Sequence, residues 1–285
     1  MKKKLSFKQR LHNAIGSQTV EEYKARHAYL HGVGYSREEW DYMWLKSKNT
    51  TWAHQFGRMV GYDEVYLNSV GHMDNMCCHA YGETIRHFPQ YMGHDIRSSG
   101  SSGLHVLASD VIEVAEDGKS ARASYLTPGT LTGPVGFDNV HRSGVWLWER
   151  YGSEFAYVDG KWQWFHEQVC PDLAGDYDTG NWAHNRYLDF IENDCTVGEL
   201  GGRPAQLTEP GLFHRDYTIV QTVQDTVPAP DPYTTLKDVP DDKSYSPGRW
   251  DPTDHVLVEV KEKAVANFDA QMADNPFGKI REGDE

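Results

Sequence analysis

The sequence predicts an α+β fold in which helices pack on one face of a curved antiparallel sheet. The first supporting observation is the order of hydrophobic patterns, which runs helix, helix, short strand, helix and then four long strands. The second is the segment from Trp146 to Asp172, WLWERYGSEFAYVDGKWQWFHEQVCPD, where an Asp159-Gly160 turn separates two aromatic and β-branched runs. An Asp-Gly pair in that setting is a strong short-range signal for a β-hairpin.

Three helices are predicted in the first third of the chain. Residues 1–18 are interpreted as a loose lead-in, and Thr19 as a helix cap that forms a capping box with Glu22. Ser36 opens a second helix through the same pattern, S-R-E-E. The third predicted helix covers Gly61–Tyr81.

The strands follow from alternation and turn signals. Thr50–Phe56 is a short strand candidate, and Leu104–Val114 and Ser120–Leu131 are long ones that flank an E-D-G-K turn. A Gly- and Pro-rich loop is predicted at 132–144, before the hairpin of Trp146–Asp172.

The hairpin is expected to carry the functional face of the sheet. Alternation places one set of its residues on one side, and on the second strand it assigns a shared face to Trp162, Trp164 and His166. The first-strand set is Val145, Leu147, Glu149, Tyr151, Phe155 and Tyr157. Glu149 and His166 stand out because a titratable group among apolar neighbours can have its pKa moved towards neutrality.

The C-terminal part of the chain has a different amino-acid composition. Prolines and aspartates are dense in VPAPDPYTTLKDVPDDKSYSPGRWDP, which disfavours regular structure. Aromatic residues remain too frequent there for a disordered tail. We therefore divide the chain into an α+β domain at 1–175 and an irregular extension at 176–285 that wraps the domain or a neighbouring subunit.

Composition excludes several classes of partner. A net charge of −14 argues against nucleic acid and anionic membranes, because phosphate groups are bound by clustered Lys and Arg. No segment approaches the roughly 20 apolar residues of a membrane span.

The four cysteines form no CxxC pair, so a reduced, cytoplasmic setting is expected. His27 and His31 lie four apart on one helix, but no HExxH or facial-triad context accompanies them, and no metal is predicted.

Four segments in order, EEYKARHAYLH…SREEWDYMW, TWAHQFGRMVGYDEV, LHVLASDVIEVAEDGKSARASY and WERYGSEFAYVDGKWQW, resemble the SnoaL-like branch of the nuclear transport factor two superfamily. The resemblance covers roughly residues 19–172. It implies a cone: a strongly bent sheet whose concave face, closed by helices, forms one deep pocket. Relatives include scytalone dehydratase, bile-acid dehydratase and diarylpropane lyases, many of which use His, Tyr and Asp side chains without a cofactor.

The resemblance to scytalone dehydratase implies three catalytic positions. Tyr29 matches the tyrosine of the first helix, His105 the histidine that opens the strand after the third helix, and His54 lies near the tyrosine of the short strand. Leu30 departs from the family pattern, which has an aspartate there. Pocket-lining roles are assigned to a second set of residues: Tyr125, Glu149, Tyr151, His166 and Trp146.

These observations predict a cofactor-independent lyase that acts on a hydrophobic, aromatic or polycyclic small molecule by dehydration or retro-aldol-type elimination. His105 is the expected base, and Tyr29 and His54 are expected to donate to the developing oxyanion or leaving oxygen. An isomerase or cyclase in the same pocket, and a non-catalytic ligand-binding module, are the alternatives. The expected assembly is a homodimer or homotrimer.

Overall fold

The structure, a computed structural model, describes residues 5–32, 36–54, 57–66, 102–134, 142–176, 209, 212 and 227–254. Within these residues lie three α-helices and seven β-strands. The helices are α1 (Phe7–Gly32), α2 (Ser36–Met43) and α3 (Tyr62–Tyr66). The strands are β1 (Thr51–His54), β2 (Gly57–Val60), β3 (Ser102–His105), β4 (Ala108–Val114), β5 (Ser120–Pro134), β6 (Arg142–Val158) and β7 (Lys161–Asp176).

The seven strands form one curved sheet in the order β2-β1-β7-β6-β5-β3, with β4 also pairing with β5. All neighbours are antiparallel except β1 and β7, which run parallel. The predicted α+β class with an antiparallel sheet is confirmed. The Asp159-Gly160 turn joins β6 to β7, and the φ angles of 51° and 83° suit the mirror-image turn that fits the twist of a hairpin.

One face of the sheet, the helix face, packs under α1. Val20 and Tyr23 of α1 meet Tyr151, Phe155 and Trp164 of the central strands in one buried cluster. Gly16 lets the helix approach closely, because a Cβ atom there would lie 2.6 Å from the ring of Trp162. The centre of this face is therefore a packed aromatic core.

The opposite face, the outer face, is covered by residues 227–254, which we call the strap. Tyr245 of the strap is fully buried and clusters with Val227 and Cys170. The strap reaches the sheet at Gly152, where an added Cβ would lie 2.6 Å from Val227 and 2.8 Å from Tyr245. This part of the C-terminal region wraps its own sheet, whereas the division of the whole chain at residue 175 stays a prediction.

Charged groups fix the strap to the outer face. Arg122 of β5 bonds the carboxylate of Glu154 at 2.9 Å, and its guanidinium lies 4.3 Å from the ring centre of Tyr245. The same guanidinium donates to the carbonyl of Lys243 in the strap. Because both members of the ion pair are buried, each needs the other to offset the loss of water.

The helix α1 begins twelve residues before the predicted start. The hydroxyl of Ser6 accepts the backbone N–H of Gln9 at 3.2 Å, so the cap lies at Ser6 and the predicted loose lead-in at 1–18 is wrong for residues 7–18. Thr19 instead lies inside the helix and donates to the carbonyl of Ile15 at 2.9 Å.

The strand predictions also need correction in three places. The single short strand at 50–56 is two strands, β1 and β2, that pair with each other. The long strand at 104–114 is divided into β3 and β4, and Ser109 has a φ of 52° where the pairing with β5 shifts. β5 and β6 extend into the predicted loop at 132–144. The predicted third helix is seen as α3 at 62–66, and its remainder at 67–81 lies outside the described residues.

Candidate functional site

Polar side chains from α1, α2 and two central strands meet on the helix face at the end of the aromatic core. We call this group the carboxyl–imidazole cluster. It consists of His27 and His31 of α1, Glu39 of α2, Glu149 and Tyr151 of β6, and Glu167 of β7. The three carboxyl groups are each 3% exposed or less, which is unusual because burying an ionised carboxyl is costly unless it is paired.

Glu149 is the group in this cluster best suited to give and take a proton. Burial raises its pKa to about 7, and hydrogen bonds from Tyr151 and Thr127 and the neighbouring His27 only partly oppose that rise. The Thr127 hydroxyl lies 3.5 Å from the carboxyl oxygen. At neutral pH the carboxyl of Glu149 therefore exists in both protonation states, as a general acid–base catalyst requires.

Glu39 orients the imidazole of His27. The two are joined by a bond of 2.9 Å between His27 Nδ1 and Glu39 Oε1, and Trp44 Nε1 donates to the same oxygen at 3.2 Å. Although burial raises the pKa of Glu39, the charge and hydrogen bond of His27 lower it below its ordinary value overall. An ionised carboxylate can only accept, so Nδ1 of His27 carries a proton.

Aromatic rings hold His27 in place. Its ring centre lies 5.3 Å from Trp164, 5.9 Å from Tyr151 and 5.2 Å from His31, with which it stacks. Desolvation, with His27 as a second cause, lowers the pKa of His31, which keeps that ring neutral. A fixed imidazole with a defined tautomer beside a half-ionised carboxyl is an arrangement for proton transfer.

The structure brings Tyr125, Glu149 and Tyr151 together on the helix face, and their predicted pocket-lining roles stay predictions. Tyr125 is 2% exposed and its hydroxyl contacts Ser153 Oγ. Burial raises the pKa of the Tyr125 phenol well above its ordinary value. Glu149 and Tyr151 belong to the carboxyl–imidazole cluster itself.

The prediction that His166 shares a face with Trp162 and Trp164 is wrong. Glu154 pairs with His166 but Phe155 pairs with Trp164, so Phe165 is an extra residue in a β-bulge. A bulge reverses the alternation that follows it. His166 therefore lies on the outer face, where its Nε2–H donates to the carbonyl of Arg249 at 2.7 Å and its Nδ1 lies 2.9 Å from the Thr51 hydroxyl.

Two other predicted residues lie away from the cluster. Tyr29 is 69% exposed on α1, so it does not line a buried site. Trp146 is 39% exposed, and its register on β6 places it on the outer face. The backbones of His105 and His54 end β3 and β1, whereas their side chains lie outside the described part of the structure. Catalytic roles for those two histidines stay predictions.

Sequence reasoning did not assign His27, Glu39 and Glu167 to the site. His27 and His31 attracted notice only as a possible metal pair, and the Glu39 in S-R-E-E was interpreted as part of a helix start. Within the described residues, no group of three or more His, Cys, Asp and Glu side chains is arranged to hold a metal ion. The same residues contain no helix long and apolar enough to cross a membrane.

A small cleft of about 90 Å³ is formed by the strap on the outer face, and its lining includes Lys237, Val239, Ser244 and Trp250. It is far too small for a drug-sized ligand, which needs roughly 300 Å³ or more. On the helix face, Trp44 stacks on Trp164 with ring centres 5.3 Å apart, which leaves no hollow at that point. A deep pocket over the rest of the helix face stays a prediction.

No family model matches the chain. No curated protein matches it either.

Several solved structures are similar to part of this chain. A Novosphingobium aromaticivorans protein named for scytalone dehydratase is 12% identical, with 60% of this chain and 92% of that chain covered and a TM-score of 0.40. A nuclear transport factor 2-like superfamily protein of Salmonella enterica is 15% identical, with 55% and 90% covered and a TM-score of 0.36. LinA is 11% identical, with 62% and 99% covered and a TM-score of 0.39.

Proposed function

We propose that the protein is a cofactor-independent lyase that eliminates water or a small aldehyde from a hydrophobic, aromatic or polycyclic molecule. The observation that carries this proposal is Glu149, a buried carboxyl whose pKa is raised by burial to about 7 beside an oriented imidazole. Groups with strongly shifted pKa values and a defined partner gather at catalytic sites more often than elsewhere.

His27 and Glu149 have different roles in the proposed reaction. Nε2 of His27 removes a proton from the substrate, while Glu39 stabilises the imidazolium that forms. Glu149 in its protonated form gives its proton to the leaving oxygen, so that water departs rather than hydroxide. Tyr151 lies beside both groups and can donate to an oxyanion that develops in the transition state.

The position of the cluster supports an apolar substrate. Its neighbours are the buried rings of Trp44 and Trp164, so the surroundings of the proton-transfer groups are apolar. His105, which the family resemblance makes the base, remains a second candidate for proton removal. An isomerase or cyclase would use the same groups and differ only in where the proton is returned.

The test is a thermal-shift screen with phenolic dimers, hydroxylated polyketides and steroids, followed by product analysis for each ligand that binds. We expect a bound ligand to be converted, and Glu149→Gln to lower kcat by about 10²-fold or more, with the protein still folded. Turnover that is unchanged in Glu149→Gln would remove the proposal. Binding without conversion would favour a ligand-binding module instead.

We further propose a cytoplasmic location and a homodimeric or homotrimeric state. The four cysteines form no CxxC pair, which suits a reducing compartment. Sedimentation of the full chain tests the oligomeric state directly.

A further inference from the structure

A row of three oxygen-bearing side chains crosses the helix face from β7 to β5. Ser153 on β6 pairs with Glu167 on β7, and the neighbouring β6 residue on this face, Tyr151, pairs with Tyr125 on β5. A bond of 2.5 Å joins Ser153 Oγ and Glu167 Oε2, and the Tyr125 hydroxyl contacts the same Ser153 oxygen. The three side chains are each 2% exposed or less, so the row is sealed from solvent along its length.

Glu167 lies at the inner end of this row, and its surroundings favour a protonated carboxyl. Burial is the first cause that raises its pKa well above the ordinary value, and the carboxyls of Glu39 and Glu149 add to it. The facing groups are Glu39 from α2, Glu149 and Ser153 from β6, Trp52 from β1 and Trp164 on its own strand. None of these is a cation, and the hydrogen bonds from Ser153 and Trp164 offset only part of the rise in the pKa of Glu167.

Charged groups lie at the outer end of the row. The ammonium of Lys24 is 5.7 Å from the ring centre of Tyr125 and forms an ion pair of 2.9 Å with Asp110 of β4. The side chain of Asp110 is 29% exposed, so this ion pair is in contact with solvent. The row therefore runs from a buried acid towards a charged pair that solvent reaches.

We propose that Glu167, Ser153 and Tyr125 form a proton relay that exchanges protons between the buried carboxyl–imidazole cluster and solvent at Lys24–Asp110. Each hydroxyl receives one proton as it passes its own on. The Glu167 proton moves to Ser153 Oγ, the Ser153 proton moves to the Tyr125 oxygen, and the Tyr125 proton leaves to water. Glu167 is left as a carboxylate until the reverse sequence refills it.

The inference rests on and deepens the proposed function, because the proposed acid, Glu149, must regain its proton after each turnover and Glu167 is close enough to interact with it electrostatically. Without the relay, exchange would wait for local opening of the sheet, which is slow in a packed core. Ser153 and Tyr125 are thus positioning and transfer residues, and no contact between them and a substrate is required.

The experiment is infrared difference spectroscopy of the full chain, which detects the carbonyl stretch of a protonated carboxylic acid without any substrate. We expect such a band in the wild-type spectrum after subtraction of the Glu167→Gln spectrum, which removes the signal of protonated carboxyls that the two proteins share, such as Glu149. On transfer to heavy water, this band should exchange at least about tenfold more slowly in Ser153→Ala and in Tyr125→Phe, because exchange then depends on local opening. Ser153→Thr keeps a hydroxyl and should restore the wild-type rate.

Tyr157→Phe is the matched control, since Tyr157 lies on the same hairpin outside the row, and its exchange rate should equal that of the wild-type protein. A subtracted spectrum, wild type minus Glu167→Gln, that contains no such band overturns the proposal, and so does an exchange rate that neither Ser153→Ala nor Tyr125→Phe alters. No substrate enters the experiment. A failed relay therefore leaves the lyase proposal standing, and a failed ligand screen leaves the relay measurable.

Discussion

Replacing Glu149 by Gln removes a titrating group from the helix face, and the Gln side chain has nearly the same shape as Glu. The substitution therefore isolates the effect of one buried carboxyl on stability. The pKa of Glu149 is raised by burial from 4.5 to about 7, which means that the folded state holds this proton more tightly than the unfolded state does. The stability that this group contributes is fully present below about pH 4.5, and it is lost as the pH rises through 7.

The size of the effect follows from the difference of 2.5 pKa units between 4.5 and 7. At about 1.4 kcal/mol per unit, the wild-type protein loses about 3 kcal/mol of unfolding free energy from this group between pH 4.5 and 9. Glu149 is 3% exposed, so solvent screening reduces this figure little. The Gln variant lacks this loss, and its stability relative to the wild-type protein should improve by the same amount over that range.

Urea denaturation at about pH 5, 7 and 9 measures the unfolding free energy of both proteins. Glu22→Gln is the matched control, because it makes the same substitution at a half-exposed carboxylate of α1 outside the carboxyl–imidazole cluster. Glu154 also has a raised pKa, and its contribution is common to both proteins. Glu149→Gln removes one of the causes that raise the pKa of Glu167, so the measured difference includes that change. Parallel curves for wild type and Glu149→Gln would refute the assignment of a raised pKa to Glu149, and with it the proposed acid.

Three further predictions concern the outer face. Arg122→Met should lower the unfolding free energy by about 3–5 kcal/mol in urea denaturation, because it leaves Glu154 as a buried charge without its cation, and Glu154→Gln in the same chain should recover part of that loss. Gly152→Ala should destabilise by about 1–3 kcal/mol and speed proteolysis of the strap, since the new methyl group meets Tyr245; unchanged cleavage would argue against this packing. Burial lowers the pKa of His166 to about 3, so its contribution to stability is present above about pH 6.5 and is lost on acidification towards pH 3; His166→Gln should flatten that limb of the stability curve.

The sequence predicts the fold well where signals are local. The Asp159-Gly160 turn, the run of strands after residue 102 and the start of α2 at Ser36 all depend on residues close together in the chain, and the structure has them. The start of α1 also has a local signal, because Ser6 and Gln9 follow the S-x-x-Q pattern of a capping box. The Thr19–Glu22 pair fits the same pattern further along the chain, and the predicted helix start follows that pair instead.

The site is less predictable because non-local geometry decides it. The extra residue Phe165 moves His166 to the outer face, and nothing in the alternation of the hairpin marks where the bulge falls. His27 and Glu39 are twelve residues apart and meet only because α2 folds back against α1. The pairing of His27 with Glu39 could not be inferred from spacing along one helix. The buried position of Glu149 could be inferred, because its strand and its apolar neighbours are continuous in the sequence.

The two faces of the sheet differ in whether their buried glutamates have an arginine or lysine partner, and this difference is the physical argument for function. On the outer face, Glu154 is bonded to Arg122, and Glu209 accepts from both Arg58 and Arg249. On the helix face, the described contacts give neither Glu149 nor Glu167 a lysine or arginine partner.

A core built only for stability would gain by replacing unpaired carboxyls with apolar side chains, because burying them raises the free energy of the folded state. Departures from the rules of core packing are expected where a protein keeps groups for chemistry. The helix face, with two carboxyls held close to their neutral forms beside an oriented imidazole, is where this chain departs from those rules. The variants of Glu149 and Glu167 therefore test function and not merely folding.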